Sequence, residues 1–155
     1  HAGNAARALE DSLAFNDAIK EAMGKVNLND TLIVVTADHS HTMTISGYAD
    51  RGNPILGLSQ GEASDGKPYT TLAYTNGPGA LESELRADLT NVDVTDIDYL
   101  QQALVPMSSE THAGDDVAIF AAGPWSHLFK GVVEQNFIYH VMAHASKIQN
   151  RMAEK

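Results

Sequence analysis

The stretch from Thr31 to His41 constrains the fold of this chain more than any other part of its sequence. Apolar residues 32–35 run without interruption and are followed by Asp38, His39 and His41. A continuous, β-branched run is typical of a strand buried on both faces, as in a parallel sheet covered by helices. Open α/β sheets bind ligands beyond the carboxyl ends of their strands, so we expect these polar residues at such an edge. Asp and His also provide the oxygen and nitrogen ligands that zinc accepts.

The segments around this strand predict an α/β domain. Ala2 to Val26 favours a helix, because it is rich in alanine and its larger apolar residues recur near helical spacing. A helix followed by a buried strand is half of a crossover unit. Val117 to Gly123 predicts another buried strand, and Gln135 to Gln149 predicts a helix with one apolar face. His1, at the start of the first helix, could face the same site as Asp38.

The middle of the chain is polar and irregular, and we interpret residues 49–105 as an excursion from the core. Hydrophobic alternation and clusters of Gly, Pro, Asn and Asp predict several short elements in and beside it. The predicted strands are Thr42 to Tyr48 and Tyr69 to Thr75, the turns 51–54 and 76–79, the surface loop 57–68 and the helix Asp96 to Ala103.

Composition excludes several classes of function. The 155 residues fit one domain, and 43% of them are hydrophobic, as in a globular protein. The formal net charge is −10, so the chain lacks the basic footprint of a nucleic-acid-binding protein. Without cysteine, thiolate catalysis, disulfides and cysteine zinc sites are excluded. No apolar run reaches the roughly 20 residues of a membrane span, and neither a Gly-x-Ser-x-Gly motif nor a glycine-rich phosphate loop occurs.

Asp38 and His39 leave three interpretations open. The pair could bind a metal ion, form a catalytic dyad or be a structural hydrogen-bonded pair. The apolar run before the pair and His41 after it favour a functional role. In a straight strand, residues 39 and 41 point to one face and residue 38 to the other. A bend after Ala37, or a supporting role for His41 beside the ligands, resolves this conflict.

His112 is the next candidate ligand. It lies in a Glu-Thr-His-Ala-Gly segment before the second apolar run, and binding residues are common in such loops. A loop histidine taken alone, however, is more often an ordinary surface residue. His127, His140 and His144 have weaker cases. His140 and His144 are four apart, but no glutamate stands between them in a metalloprotease pattern, so we interpret them as helix surface.

Several motifs together resemble the alkaline phosphatase family, and they cover essentially the whole chain. In chain order they are Thr36 to His41, Gly47-Tyr48, 51–53, 76–79, Glu110 to Val117, His127-Leu128, Gly131-Val132 and 134–136. The likeness is to the branch shared by animal and some bacterial enzymes. It implies a helix-covered central β-sheet, with core residues 1–48, a crown-like insertion 49–105 and core residues 106–155.

The resemblance implies a phosphomonoesterase with two zinc ions, one magnesium ion and a serine that is transiently phosphorylated. Asp38 and His39 would ligate the zinc that activates the serine. His1 and His112 would ligate the other zinc, and His41 would be a supporting residue near the site. Two zinc ions can stabilise both the attacking and the leaving oxygen of an in-line displacement.

This chain also departs from the family pattern. The serine nucleophile, a phosphate-clamping arginine and the carboxylates of the magnesium site have no counterpart in residues 1–155. We therefore expect the C-terminal portion of a larger enzyme, whose missing N-terminal part is its partner, without useful turnover in isolation. A truncated homologue that acts as a binding or interaction module is the alternative, and a phosphodiesterase or sulfatase relative is a third. The resemblance further implies a homodimer, a periplasmic or extracellular location, and inorganic phosphate as a product.

Overall fold

The computed structural model describes residues 1–81 and 85–148, and this part of the chain is a mixed α/β structure of small sheets and two α-helices. It forms two compact units: His1–Asn16 with His39–Asp115, and Asp17–Asp38 with Asp116–Lys155. The helices are α1 (Ala5–Lys25) and α2 (Phe137–Ser146), with a 3-10 turn at Ser126–Leu128. The strands are β1 (Ile33–Thr36), β2 (Ser40–His41), β3 (Met43–Ile45), β4 (Leu58–Glu62), β5 (Pro68–Thr70), β6 (Leu72–Gly77), β7 (Ala103–Pro106), β8 (His112–Ala113) and β9 (Ile119–Ala122).

The first unit is built on a three-stranded sheet in the order β3-β6-β7. Strand β3 is antiparallel to β6, whereas β7 is parallel to it. Ala5, at the start of α1, packs with the buried Leu72 and Tyr74 of β6 to form the core, and Leu56 and Ala103 cover its edge. The first turn of α1 is therefore buried against the sheet, while the rest of that helix is largely exposed.

Residues 57–68, predicted as a loop, instead form a hairpin of β4 and β5. The two strands are antiparallel, and the turn between them closes where the backbone N–H of Gly66 donates to the carbonyl of Ala63 at 2.9 Å. Gly66 has a φ of +74°, a conformation that glycine adopts without steric cost. Asp65-Gly66 is a strong hairpin signal that composition alone obscures.

The predicted helix from Asp96 to Ala103 is wrong. Asp93 accepts hydrogen bonds from the N–H of Thr95 at 3.0 Å and from its hydroxyl at 2.7 Å. Asp96 accepts from the N–H of Asp98 at 2.7 Å in the same way. Such short side-chain bonds satisfy backbone donors locally and compete with helix formation. Ala103 instead begins strand β7.

The sequence predicted that strand β1 lies in a parallel sheet and is buried on both faces. The structure contradicts this prediction. Strand β1 pairs antiparallel with β9, Ile33 opposite Ala122, and its residues are half-exposed. In β9 itself, Phe120 is 68% exposed. An apolar run predicts a strand, but it encodes neither the direction of the partner strand nor what covers each face. The partner is the second predicted apolar run, whose observed strand is shorter than predicted.

Strand β9 ends at Ala122, directly before the Gly123-Pro124 pair that was predicted to end it. Gly123 has a φ of +98°, and a Cβ atom at this position would lie 2.1 Å from the carbonyl oxygen of Thr31. Any other residue would therefore push the two chain segments apart. Trp125 follows with a φ of 67°, and its ring meets that of His144 edge-on at 4.3 Å.

Helix α2 confirms most of the predicted C-terminal helix and is shorter at its start. Val141 of its apolar face is buried, whereas Met142 is 51% exposed. The helix ends at Ser146, and its C-cap residue Lys147 adopts a left-handed conformation. Gln149, the predicted helix end, lies outside the described residues. Within residues 1–81 and 85–148, neither helix combines the length and the hydropathy that crossing a membrane requires.

Candidate metal centre

A short antiparallel pair, β2 with β8, places two predicted site residues opposite each other. Ser40 pairs with Ala113, and His41 pairs with His112. Of the strand predicted from Thr42 to Tyr48, only Met43–Ile45 forms a strand, β3, while Thr42 lies between β2 and β3 and donates to Glu110. Strand β1 ends at Thr36 and the chain bends at Asp38 and His39 before β2 begins, so Asp38, His39 and His41 do not lie in one straight strand with strict alternation.

Four histidine rings gather at this pair. The rings of His39 and His112 stack with centroids 3.5 Å apart, and His39 lies 5.0 Å from His41. His1 lies 4.8 Å from His41 and 5.1 Å from His112, while His41 and His112 are 5.5 Å apart. We call these four residues the histidine cluster. Imidazoles this close are typical of a metal site, because each ring offers one nitrogen lone pair.

Hydrogen bonds fix which nitrogen carries the lone pair. The Nδ1 atom of His1 lies 2.6 Å from the carbonyl oxygen of Glu110, and the Nδ1 atom of His39 lies 3.1 Å from that of Ser40. A carbonyl oxygen only accepts hydrogen bonds, so Nδ1 is the donor in both rings. In the neutral ring, Nε2 then keeps the lone pair. An imidazole whose Nδ1 donates to a fixed carbonyl and whose Nε2 carries the lone pair fits a zinc ligand, in which the second nitrogen donates to a fixed acceptor.

Glu110 is the buried carboxylate of the site, with a side-chain exposure of 0%. Its Oε1 accepts from the N–H of Thr42 at 2.6 Å and from the Thr42 hydroxyl at 2.8 Å. Its Oε2 accepts from Nδ1 of His41. Burial raises the pKa of Glu110, but the hydrogen bonds from Thr42 and His41, with the attraction of the His41 ring, outweigh it and hold the pKa below its ordinary value. The carboxylate is therefore ionised and satisfied by donors.

The neighbouring residue Thr111 ties this segment to the core sheet. The amide of Asn76 in β6 donates to the Thr111 hydroxyl at 2.8 Å, and its oxygen accepts from the N–H of Thr111 at 3.0 Å. Next to it, Gly77 has a φ of +136°, and a Cβ atom there would lie 3.3 Å from Cβ of Glu110. The paired amide and the close glycine hold the strand of His112 against β6.

The rings of four predicted site residues contact one another in the structure. His1, His39, His41 and His112 all belong to the first compact unit, whereas Asp38 is the exposed last residue of a segment of the second. His127 and His144 lie against Trp125, and His140 lies beside Tyr139. These three histidines make their ring contacts outside the histidine cluster, in agreement with their weaker sequence signal.

Sequence reasoning gave no role to Glu110. The described residues contain one group of three side chains that could hold a metal ion, and it consists of His1, His41 and Glu110, with ligand atoms within 4.8 Å of one another. The signal was present in the sequence, because Glu110 stands two residues before His112 in the Glu-Thr-His-Ala-Gly segment. Its burial could not be inferred, since glutamate is rarely buried without a partner.

A cluster of imidazoles with fixed donors on an α/β scaffold defines a candidate metal-binding protein, and sequence comparison gives its family. The family described as alkaline phosphatase matches residues 1–148. The chain is 48% identical over 154 residues to an alkaline phosphatase of Gadus morhua, covering 97% of this chain and 32% of that protein. It is 47% identical over 151 residues to the tissue-nonspecific isozyme of alkaline phosphatase of Rattus norvegicus, covering 96% and 29%.

The chain therefore belongs to the alkaline phosphatase family, as its motifs indicated. A third relative, the tissue-nonspecific isozyme of alkaline phosphatase of Gallus gallus, is 46% identical over 150 residues, covering 96% of this chain and 29% of that protein. The chain spans about a third of the length of these curated relatives.

Proposed function

We propose that this chain contributes to the hydrolysis of phosphomonoesters by a metal-dependent phosphatase with a two-zinc site and a phosphoserine intermediate. The observation that carries the proposal is the histidine cluster, formed by residues from three separate segments of a chain that belongs to the alkaline phosphatase family. The serine nucleophile has no counterpart in residues 1–155, so the contribution of this chain is part of the metal site.

The donor set fits zinc in its chemistry. We propose that His1 and His112 hold one zinc ion, that Asp38 and His39 hold the other, and that His41 supports them. Each would contribute a neutral imidazole nitrogen or a carboxylate oxygen, the ligands that zinc prefers. When bound, zinc polarises the phosphoryl oxygens and lowers the pKa of a bound water.

The residues of the chain then have three tasks. The carbonyls of Glu110 and Ser40 hold the Nδ1–H groups of His1 and His39, so that in the neutral rings Nε2 carries the lone pair that a metal would use. The β2–β8 pair fixes His112 opposite His41. Glu110 adds a fixed negative charge beside the cluster, which favours a cation.

A chimera tests this proposal. Residues 1–155 would replace the matching segment of the Gadus morhua relative, and the product would be assayed for zinc content and for hydrolysis of p-nitrophenyl phosphate. We expect both zinc binding and turnover. Zinc binding without turnover would instead support a binding module, and the absence of both would contradict the proposed function.

Substitution of a proposed ligand makes the test specific. In the chimera, His112→Ala should lower zinc content and turnover together, the latter by about 100-fold or more, because loss of even a supporting residue costs about 10–100-fold. His140→Ala removes an exposed histidine of α2 and is the matched control. Unchanged zinc content in His112→Ala, measured by elemental analysis, would refute the ligand role.

The remaining family properties stay predictions. These are a magnesium ion, a homodimer, a periplasmic or extracellular location, a helix-covered central sheet, and a crown-like role for residues 49–105. We also expect that the 155-residue chain alone does not hydrolyse p-nitrophenyl phosphate with zinc and magnesium added. Robust turnover by that chain would contradict the assignment of the nucleophile to another segment.

A further inference from the structure

We propose that Glu110 is a positioning residue of this site and not a metal ligand: its buried carboxylate fixes the proton of His41 on Nδ1. The inference rests on the proposed function, because it assigns a role within the same histidine cluster. Glu110 would act through His41, holding that ring in one orientation and one tautomer while Nε2 keeps its lone pair.

The hydrogen bonds of the Glu110 carboxylate indicate that it orients His41. Oε1 accepts from two donors of Thr42 and Oε2 accepts from Nδ1 of His41, while the side chain is closed to solvent. An ionised carboxylate has only acceptor sites, so the nitrogen that faces it has to be a donor. Moving the carboxylate onto a metal ion would take Oε2 from His41 and strain the two bonds to Thr42. The geometry therefore favours a carboxylate that orients over one that ligates.

The main chain of Glu110 also forms hydrogen bonds with His1, another residue of the histidine cluster. Its N–H donates to the carbonyl of His1 at 2.8 Å, and its carbonyl accepts from Nδ1 of His1 at 2.6 Å. Glu110 thus holds His1 through its backbone and His41 through its side chain, and it stands two residues before His112. A single residue joins three segments of the cluster. A backbone carbonyl that accepts from a histidine ring, as that of Glu110 does from the proposed ligand His1, is a common partner of metal-bound imidazoles.

The variant Glu110→Gln changes the hydrogen-bonding pattern of the side chain at residue 110 without changing its size. Glutamine matches glutamate in shape, but its side chain has one acceptor and one donor end. The two donors of Thr42 would take the oxygen, which turns the NH2 group toward Nδ1 of His41. We therefore expect His41 to move its proton to Nε2 in the variant.

The measurement is the tautomer of His41 in the metal-free 155-residue chain, read from long-range 1H–15N spectra of the histidine rings. His41→Gln identifies the signal. We expect an Nδ1–H ring in the wild-type chain and an Nε2–H ring in Glu110→Gln. Zinc affinity is measured in the chimera by competition with a chromophoric chelator. It should fall about 10–100-fold when the chimera carries Glu110→Gln. Glu62→Gln, an exposed carboxylate of β4, is the control and should change neither quantity.

Each outcome bears on the inference. If Glu110 were a ligand, zinc affinity would fall but the tautomer of His41 without metal would stay the same, and the inference would be wrong. An Nε2–H ring in the wild-type chain would overturn it as well, even if the variant failed to fold. Absence of zinc binding by the wild-type chimera would count against the proposed function, whereas the metal-free tautomer would still decide the role of Glu110.

Discussion

Two carboxylates of the first unit accept similar sets of hydrogen bonds in different surroundings. Glu110 has a fully buried side chain and accepts from Thr42 and His41. Asp65, in the β4–β5 hairpin, is 39% exposed and accepts from Arg86 at 2.7 and 3.2 Å and from the N–H of Lys67 at 3.1 Å. Both groups have a lowered pKa, so the direction of the shift does not distinguish them.

The causes of the two shifts differ. For Asp65, the hydrogen bond from Arg86 is the largest influence and lowers the pKa, and burial, the second-largest influence, opposes it. For Glu110, burial is the largest influence and raises the pKa, and the hydrogen bonds of Thr42 and His41 have to overcome it. Water can replace the partners of an exposed carboxylate but not those of a buried one. The same hydrogen bonds are therefore expected to matter far more at Glu110 than at Asp65.

Glu110→Ala should have the largest effect on stability. The variant leaves two donors of Thr42 and the Nδ1–H of His41 without their acceptor. Removing one partner of a buried pair costs about 3–5 kcal/mol, so we expect the free energy of unfolding to fall by about 3 kcal/mol or more. Hydrogen exchange at amides of residues 39–115 measures it. A loss of only about 0.5 kcal/mol, the range of ordinary surface substitutions, would contradict the expected difference between the buried Glu110 and the exposed Asp65.

Thr42→Val should have an intermediate effect. The substitution keeps the shape and the backbone N–H of residue 42 but removes the hydroxyl that donates to Oε1 of Glu110. Loss of one such bond is worth about 1 kcal/mol in the free energy of unfolding, measured by urea denaturation. Thr44→Val in β3 is the matched control, since its hydroxyl donates to the carbonyl of Ala73 in an exposed position. If Thr42→Val and Thr44→Val lowered the free energy of unfolding equally, burial would not explain why one hydrogen bond matters more than the other.

Asp65→Asn should have the smallest effect, and one that depends on pH. The folded pKa of Asp65 lies below its ordinary value of 3.8, so its stabilising effect is present above that value and is lost as the pH falls through the folded pKa. The stability difference between wild type and variant should therefore be constant near neutral pH and shrink below about pH 4. It should also shrink in 1 M NaCl, because salt screens exposed charges. A difference that persists in urea unfolding at acid pH would contradict this explanation.

The sequence predicted the elements of the fold better than their arrangement. The alanine-rich segment predicted α1, and the apolar runs predicted β1 and β9, because these signals are local. The antiparallel pairing of β1 with β9 joins residues far apart in sequence, and no periodicity encodes it. The error at Asp96 has a different origin, since the aspartate side chains satisfy the backbone of nearby residues in place of a helical ladder.

At the candidate site, the sequence singled out the histidines as candidate ligands and gave no role to Glu110, which forms hydrogen bonds with His1 and His41 in the structure. His39, His41 and His112 stood out because their motifs are rich in metal ligands. Glu110 did not, because its importance depends on burial and on the donors of Thr42, which only the folded chain brings to it. The bend expected after Ala37 is present at Asp38 and His39, between β1 and β2.

Trp125 has a consequence for how this chain can be observed. It is the only tryptophan in the sequence and belongs to the second unit, whereas Tyr48, Tyr69, Tyr74 and Tyr99 belong to the first. Tryptophan emission is therefore an optical reporter of the second unit, while tyrosine absorbance is weighted toward the unit that contains Glu110. Recording both signals in one denaturation experiment would reveal whether the two units lose their structure together or one after the other.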